Sequence, residues 1–206
     1  MKPFEELKEV YDKVFSNLDG YSVSLNEKNQ KQNQKYFKDV IYGESPFELM
    51  YALFCIEPMA SYLQKATNFY DLGSGIGNTV ISAYLIKDFK KCVGVELLES
   101  LYNISVRAKN NLINIDKQAQ NKIDFINKNI LDVDLHEAES ILFCCPNTDV
   151  KILAEMEEKF KKELKIGCFI MSIIYPFQDK NKFQFLETRN IRTAWGTAPL
   201  NLYLVK

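Results

Sequence analysis

Hydrophobic and polar positions follow two different periods along this chain, and the alternation between them predicts an α/β fold. From residue 68 onward, short apolar runs of strand length are separated by stretches whose apolar residues recur three and four apart. The predicted strands are 68–72, 91–97, 123–129, 140–145 and 168–175, and the predicted helices are 76–87, 98–112 and 149–165. Two further candidate strands, 183–189 and 199–205, would add an antiparallel edge. We expect a doubly wound, mostly parallel, seven-stranded Rossmann-like sheet.

The first part of the chain predicts helices rather than strands. Residues 4–18 carry apolar side chains at helical spacing, and Gly20 is predicted to end this amphipathic helix. Residues 26–38 are rich in Asn, Gln and Lys and have little apolar surface, which predicts a mobile linker or lid. A second helix is predicted to begin at a capping sequence formed by Ser45 as N-cap, Pro46 and Glu48.

Composition limits the size and the class of the protein. The 206 residues, 47% hydrophobic, can form one substantial core, and we predict a helical extension over 1–60 and a sheet domain over 61–206. The net charge of −1, without blocks of lysine or arginine, makes nucleic acid an unlikely partner. The apolar runs are too short to cross a bilayer and the N-terminus is charged, so we expect a cytoplasmic protein.

Cysteine and histidine usage excludes several chemistries. The five cysteines lack CxxC spacing and mostly lie in apolar runs, which predicts reduced thiols rather than disulfides or a metal site. His136 is the one histidine of the sequence, and it is expected at the surface. A Ser-His-Asp hydrolase and a zinc enzyme are therefore disfavoured, and no metal is predicted.

The segment Asp71-Leu72-Gly73-Ser74-Gly75-Ile76-Gly77 closes the first predicted strand and indicates a nucleotide pocket. Glycines there allow positive φ and bring backbone N–H groups close to a ligand. Glu96, at the end of the next strand, is suited to the two hydroxyls of a ribose. The dinucleotide fingerprint would place its third glycine at position 78, which is Asn78 here, so an NAD-dependent oxidoreductase is disfavoured.

This string resembles motif I of the class I methyltransferases, which bind S-adenosylmethionine (SAM). The resemblance implies that Gly73, Ser74 and Gly75 surround the methionine half of SAM, that Gly77 belongs to the same cofactor-binding loop, and that Asp71 lies near the amino group or in the loop's hydrogen-bond network. Glu96 would then bind the ribose, and Leu97 would pack on the adenine. Asn129 and Ile130, after the third strand, would contact the adenine as well. A polar turn residue is the alternative interpretation of Asn129.

A second resemblance lies upstream, where Tyr42-Gly43-Glu44 precedes the predicted second helix. This order is similar to the non-SET histone-lysine methyltransferases, the disruptor-of-telomeric-silencing family, and implies that Tyr42 and Glu44 cover SAM. Tyr175-Pro176-Phe177 and Thr193-Ala194-Trp195-Gly196 resemble the small methyltransferases that modify lysines of mitochondrial carriers and ATP-synthase subunits. The family's Asn-Asn-aromatic signature after the fourth strand is replaced here by Cys145-Pro146-Asn147.

These resemblances imply transfer of a methyl group to a nitrogen, with a protein lysine as the expected acceptor and Tyr42, Glu44, Tyr175 and Trp195 as the expected catalytic residues. Phe177 is a further expected wall of an aromatic channel. A loop role for Tyr42 and Glu44 and a packing role for Trp195 are the alternatives. A small-molecule or RNA methyltransferase, and a degenerate SAM-binding partner protein, also stay open. The oligomeric state is not predicted.

Overall fold

Helices and strands alternate along most of the computed structural model, which describes residues 3–31, 42–144 and 149–206. The helices are α1 (Phe4–Phe15), α2 (Gly20–Lys31), α3 (Phe47–Cys55), α4 (Met59–Lys65), α5 (Asn78–Ile86), α6 (Glu99–Ile115), α7 (Ala119–Lys122) and α8 (Val150–Glu163). The strands are β1 (Asn68–Leu72), β2 (Lys91–Glu96), β3 (Ile123–Asn127), β4 (Ser140–Cys144), β5 (Phe169–Ile173), β6 (Phe183–Thr193) and β7 (Gly196–Val205). One turn of 3-10 helix, Ile130–Asp132, follows β3.

The seven strands form one sheet in the order β3-β2-β1-β4-β5-β7-β6. Strands β1 to β5 are parallel, and β7 runs antiparallel to both β5 and β6. The predicted fold and its antiparallel edge are therefore confirmed. The strand order reverses between β1 and β4, so the carboxyl end of β1 lies at the switch point where ligands bind in open α/β sheets.

Both faces of the sheet are covered by helices. Because successive side chains of a strand point to opposite faces, Phe169 and Met171 join one apolar core while Ile170 joins the other. The first core also contains residues of α1, α3, α5 and α6, and the second contains residues of α8. The N-terminal helices thus share a core with the sheet, and α4 runs across the predicted boundary between residues 60 and 61.

The N-terminal helices differ from the prediction. Helix α1 ends at Phe15 and Gly20 begins α2, whose first turn is capped by Asp19 through the backbone N–H groups of Tyr21 and Ser22. The predicted mobile stretch is wrong for residues 26–31, which are helical, and its residues 32–38 lie outside the described part.

Two further predictions concern the start of α3 and the end of β4. Helix α3 has Pro46 at its N-cap, without a side-chain cap, so the prediction that Ser45 caps this helix is wrong. Strand β4 is described as far as Cys144. The segment Cys145-Pro146-Asn147, which replaces the family's Asn-Asn-aromatic signature, lies outside the described residues. None of the described helices is both long and apolar enough to pass through a lipid bilayer.

Candidate active site

The loop between β1 and α5 is shaped by three glycines with left-handed backbone. Gly73, Gly75 and Gly77 have φ values of 94°, 55° and 89°, a region that glycine enters without steric cost. The N–H groups of Gly73 and Ser74 both donate to the Val95 carbonyl, at 2.9 and 3.0 Å. The loop is therefore tied to β2 at the carboxyl ends of the strands, with Gly73 exposed and residues 74–77 buried.

Glu96, the last residue of β2, is joined to this loop. Its Oε2 atom accepts the Gly75 N–H at 2.7 Å, and its Oε1 atom accepts the Leu98 N–H at 2.8 Å. The side chain is buried, and this burial raises the pKa of Glu96 against the opposing effect of the two N–H donors. Both carboxylate oxygens are thus fixed beside the glycine loop, where the ribose of a nucleotide would lie.

Asp71 lies on the same face of the sheet, one strand away, and is only 3% exposed. Burial, with a smaller contribution from the neighbouring Glu96 charge, raises the pKa of Asp71 to about 8, although a hydrogen bond from the Thr79 side chain opposes the shift. Two buried carboxyl groups in one pocket repel each other when both are ionised. A ligand with a positively charged end would relieve that repulsion.

Tyr42 and Gly43 connect the glycine loop to the β6–β7 hairpin. A Cβ atom added to Gly75 would lie 2.7 Å from Cε2 of Tyr42, so the phenol ring covers Gly75 directly. A Cβ added to Gly43 would lie 2.4 Å from Cε3 of Trp195, at the hairpin tip. The Tyr42 hydroxyl donates to Oε1 of Glu44 at 2.6 Å, and burial together with the Glu44 carboxylate raises the pKa of Tyr42. The structure therefore brings Tyr42, Glu44 and Trp195 together around the loop.

A cleft of about 370 Å³ opens beside Tyr42. Helix α2 forms one side of it, and Tyr42 and Leu98 form the other. The α2 residues that line it are Tyr21, Ser22, Ser24, Leu25 and Lys28. The ring of Tyr21 meets the ring of Tyr42 edge to face, with centroids 5.0 Å apart. Tyr42 lines this cleft and also covers Gly75, and Leu98 follows the Glu96 turn, so the cleft lies next to the glycine loop.

The residues after β2 and β3 were expected to contact the adenine. Leu97 is half-buried and packs with the small apolar cluster that contains Leu98. Asn129 accepts the Leu131 N–H through its Oδ1 atom at 3.0 Å, which is the turn role that the sequence left open, and Ile130 is half-buried. Asn127, not chosen from the sequence, donates to the carbonyl of Glu96 at 2.9 Å and holds the strand tip.

Tyr175 and Phe177 pack elsewhere. The Tyr175 hydroxyl donates to Oε2 of Glu157 on α8 at 2.9 Å, and burial together with this contact raises its pKa. Phe177 is 5% exposed and stacks on Phe183, at a centroid distance of 4.5 Å. Both belong to the α8 face of the sheet, opposite to α5 and α6. The structure corrects the expected channel walls here, because these aromatic rings fill the second core.

Phe125 and Glu27 contribute to the site without having been selected from the sequence. A Cβ added to Gly77 or Gly94 would come within 2.5 or 2.7 Å of the Phe125 ring, so this ring supports the loop from β3. Gly94, which lies inside the buried strand 91–96, is the sequence signal that could have predicted the close approach of another side chain to the backbone. Glu27 binds the start of α6, far along the chain, and its polar surroundings in the sequence give no comparable signal.

The pocket fits SAM. Ser74 Oγ is buried with no hydrogen-bond partner among the described residues, and Glu96 and Asp71 supply two carboxyl groups beside the same loop. A positively charged amino group near Asp71 and a ribose at Glu96 match two polar groups of this cofactor. This fold and site define a class I SAM-dependent methyltransferase.

The family follows from comparison with known proteins. Residues 21–203 match the family model described as histone methylation protein DOT1. The chain belongs to this DOT1 family, as the Tyr42 loop and the glycine loop had indicated, and the family's cofactor is SAM.

Two curated proteins are similar to this chain in sequence. A histone-lysine N-methyltransferase, H3 lysine-79 specific, from Candida glabrata is 30% identical over 163 residues, 74% of this chain and 24% of that protein. The chain therefore spans about a quarter of the length of the fungal protein. A protein-lysine N-methyltransferase from Saccharolobus islandicus is 34% identical over 125 residues, 59% of this chain and 70% of that protein.

Solved structures confirm the fold at low sequence identity. An RNA methyltransferase from Salinibacter ruber in complex with S-adenosyl-L-homocysteine has a TM-score of 0.56 and 15% identity, and the match covers 79% of this chain and 93% of that chain. The mitomycin 7-O-methyltransferase MmcR has a TM-score of 0.60 and 9% identity, over 98% of this chain and 67% of that chain.

Proposed function

We propose that this chain transfers the methyl group of SAM to the side-chain amine of a lysine in a protein. The observation that carries the proposal is the DOT1 match over residues 21–203, which includes the Tyr42 loop, the glycine loop and the Trp195 hairpin. The names of both curated relatives describe lysine methyltransferases. The net charge of −1 further favours a protein over a nucleic acid as the acceptor. A cytoplasmic location stays part of the proposal.

The task of the protein is to align an acceptor amine and exclude water. SAM supplies a methyl group that its sulfonium already activates. Asp71 would hold the amino group of the methionine part and Glu96 the ribose, and the Tyr42 ring, which contacts Gly75, would form one wall of the cofactor site. Alignment of two reactants accounts for much of the catalysis in reactions of this kind.

The acceptor must be neutral to attack. A lysine amine with a pKa of about 10.4 is almost fully protonated at pH 7, and contact with aromatic surface lowers that pKa by desolvation. Tyr42 is half-buried and Trp195 is 39% exposed. Gly43 connects them, because it follows Tyr42 in the chain and contacts the Trp195 ring. The amine is therefore proposed to approach between these rings, without a dedicated base.

The test is to incubate the protein with methyl-labelled SAM and fractionated cell lysates, followed by mass spectrometry of labelled bands. Methylated lysine in a protein is the expected product. Glu96→Ala is the inactive control, because it removes the group proposed to bind the ribose. Label confined to RNA or to small molecules would contradict the lysine acceptor, and SAM binding without transfer to any fraction would support a degenerate partner protein.

A further inference from the structure

Helix α2 contacts both Tyr42, which covers the glycine loop, and the start of α6, which follows Glu96, although its own sequence is mostly polar. At its start, a Cβ added to Gly20 would lie 2.3 Å from the Tyr42 hydroxyl oxygen. Tyr21, one residue later, contacts the Tyr42 ring. Farther along, Glu27 reaches the first turn of α6. The helix thus joins the cover of the glycine loop to the segment that follows Glu96.

Glu27 is the group that holds this helix to α6. Its Oε1 atom accepts the Glu99 N–H at 3.1 Å, and its Oε2 atom accepts the Ser100 N–H at 2.7 Å. The side chain is 8% exposed, and the Ser100 hydroxyl also donates to the Val23 carbonyl at 3.5 Å. The first N–H groups of a helix lack partners inside the helix, and a carboxylate both satisfies them and interacts favourably with the helix dipole.

This contact lies a few residues from the proposed ribose ligand. Glu96 is fixed between the N–H of Gly75 on one side and the N–H of Leu98 on the other. Leu98 immediately precedes the turn that Glu27 binds, and it also lines the cleft opposite α2. A shift of the α6 start would therefore move the Leu98 N–H, change the direction of the Glu96 carboxylate and alter the width of the cleft.

We propose that Glu27 is a positioning residue for cofactor binding: by holding the start of α6 against α2, it fixes Glu96 in the direction that binds the ribose. This inference rests on the proposed site, in which Glu96 is the ribose ligand, and not on the identity of the methyl acceptor. Glu27 itself touches backbone N–H groups and acts on the cofactor through Glu96.

Calorimetric titration with S-adenosylhomocysteine tests the inference without an acceptor. Glu27→Ala should weaken binding about tenfold with a stoichiometry still near one, and Glu27→Gln, which keeps one acceptor oxygen, should recover part of that loss. Glu9→Ala is the charge-matched control, because Glu9 lies on α1 and pairs with Lys13, and it should bind as the unaltered protein does. A lower stoichiometry with an unchanged dissociation constant would mean only a loss of folded protein and would overturn the inference.

A double variant shows whether Glu27 acts through Glu96. If it does, Glu27→Ala combined with Glu96→Gln should bind no more weakly than Glu96→Gln alone, because coupled residues are not additive. Losses that multiply would overturn the inference. Hydrogen exchange on the unaltered protein gives a measurement that no folding defect can obscure: S-adenosylhomocysteine should slow exchange across residues 20–31 and 97–102. Protection confined to residues 73–77 would contradict it.

The outcomes for the two proposals are separable. Failure of the unaltered protein to bind S-adenosylhomocysteine would overturn the cofactor site and this inference together. Binding that is weakened by Glu27→Ala, with no labelled lysine in any lysate fraction, would support the inference and contradict the lysine acceptor alone.

Discussion

The indole ring of Trp195 lies directly on the backbone of Gly43, at a spacing that leaves no room for a methyl group on the Gly43 Cα. Gly43 separates Tyr42, which covers the glycine loop, from Glu44, which binds the Tyr42 hydroxyl. The contact therefore connects the tip of the β6–β7 hairpin to the Tyr42 wall of the proposed cofactor site.

Gly43→Ala should lower the rate of methyl transfer about tenfold, because the added methyl group must displace the Trp195 ring from the loop. The φ angle of Gly43 does not require glycine, so the effect is steric. Trp195→Ala removes the clash, and the double variant should be no worse than Trp195→Ala alone. Steady-state kinetics of the three variants measure this coupling, and independent, multiplying losses would argue against the contact.

Gly77→Ala should destabilise the protein by about 2–5 kcal/mol. About 1–2 kcal/mol comes from the left-handed backbone, and about 1–3 kcal/mol comes from crowding against Phe125. Gly167→Ala is the matched control, because Gly167 has the same φ of 89° and no atom within 4 Å of the added Cβ. Urea unfolding of both variants separates the two costs. Equal losses would mean that the Phe125 ring moves aside at no measurable cost in stability.

The stability of the free protein should decrease as the pH rises from about 4 to about 8. Asp71 has its pKa raised from 3.8 to about 8 in the folded state, so over this interval the folded protein binds more protons than the unfolded chain does. The burial of Glu96 acts in the same direction. Asp71→Asn carries no titrating group at this position, and its unfolding free energy should decline less over the same interval. Denaturant melts at several pH values make the comparison.

The affinity for SAM should change with pH in the opposite direction. If the positive end of SAM pairs with ionised Asp71, binding must remove the proton that the free protein holds below pH 8. The affinity should then increase with pH by up to about tenfold per unit below pH 8. Calorimetry in buffers of different ionisation enthalpy measures the released proton. Asp71→Asn removes this contribution and leaves the titration of SAM itself. An identical pH profile for that variant would contradict the pairing.

Tyr175→Phe should cost about 1 kcal/mol of stability and leave the affinity for SAM unchanged. The variant removes one hydrogen bond to Glu157, which still accepts the N–H groups of Gln178 and Asp179. The ring itself stays in the second core. Thermal unfolding and SAM titration check the two parts, and a large loss of SAM affinity would contradict a purely packing role for Tyr175.

Much of the sheet could be predicted because most strands are short apolar runs, and the segments between them have apolar residues at helical spacing. The carboxyl ends of the strands were less certain. The strand predicted over 168–175 ends at Ile173, because Ile174 has a φ of 74° and a strand cannot continue through left-handed backbone. The glycines of the loop were identified from spacing alone, and their positive φ values confirm that interpretation.

Contacts between distant segments could not be predicted in the same way. Helix α2 has no apolar stripe in its sequence, and its anchor Glu27 is 72 residues from Glu99. Phe177 belongs to a short motif that resembles small lysine methyltransferases, and it was expected to form a wall of an aromatic channel. In the structure its ring stacks on Phe183 in the second core. In each case the sequence shows the residue, but its partner is brought close only by the tertiary fold.

The position of β7 has a consequence for synthesis on the ribosome. This strand follows β6 in the chain but lies between β5 and β6 in the sheet, so β6 reaches the sheet through its pairing with β7. While residues 196–205 are still inside the ribosomal exit tunnel, β5 lacks this neighbour and β6 has no place to dock. The nascent chain must therefore keep an open sheet edge until β7 has left the tunnel, and this is the interval in which a holding chaperone would protect it.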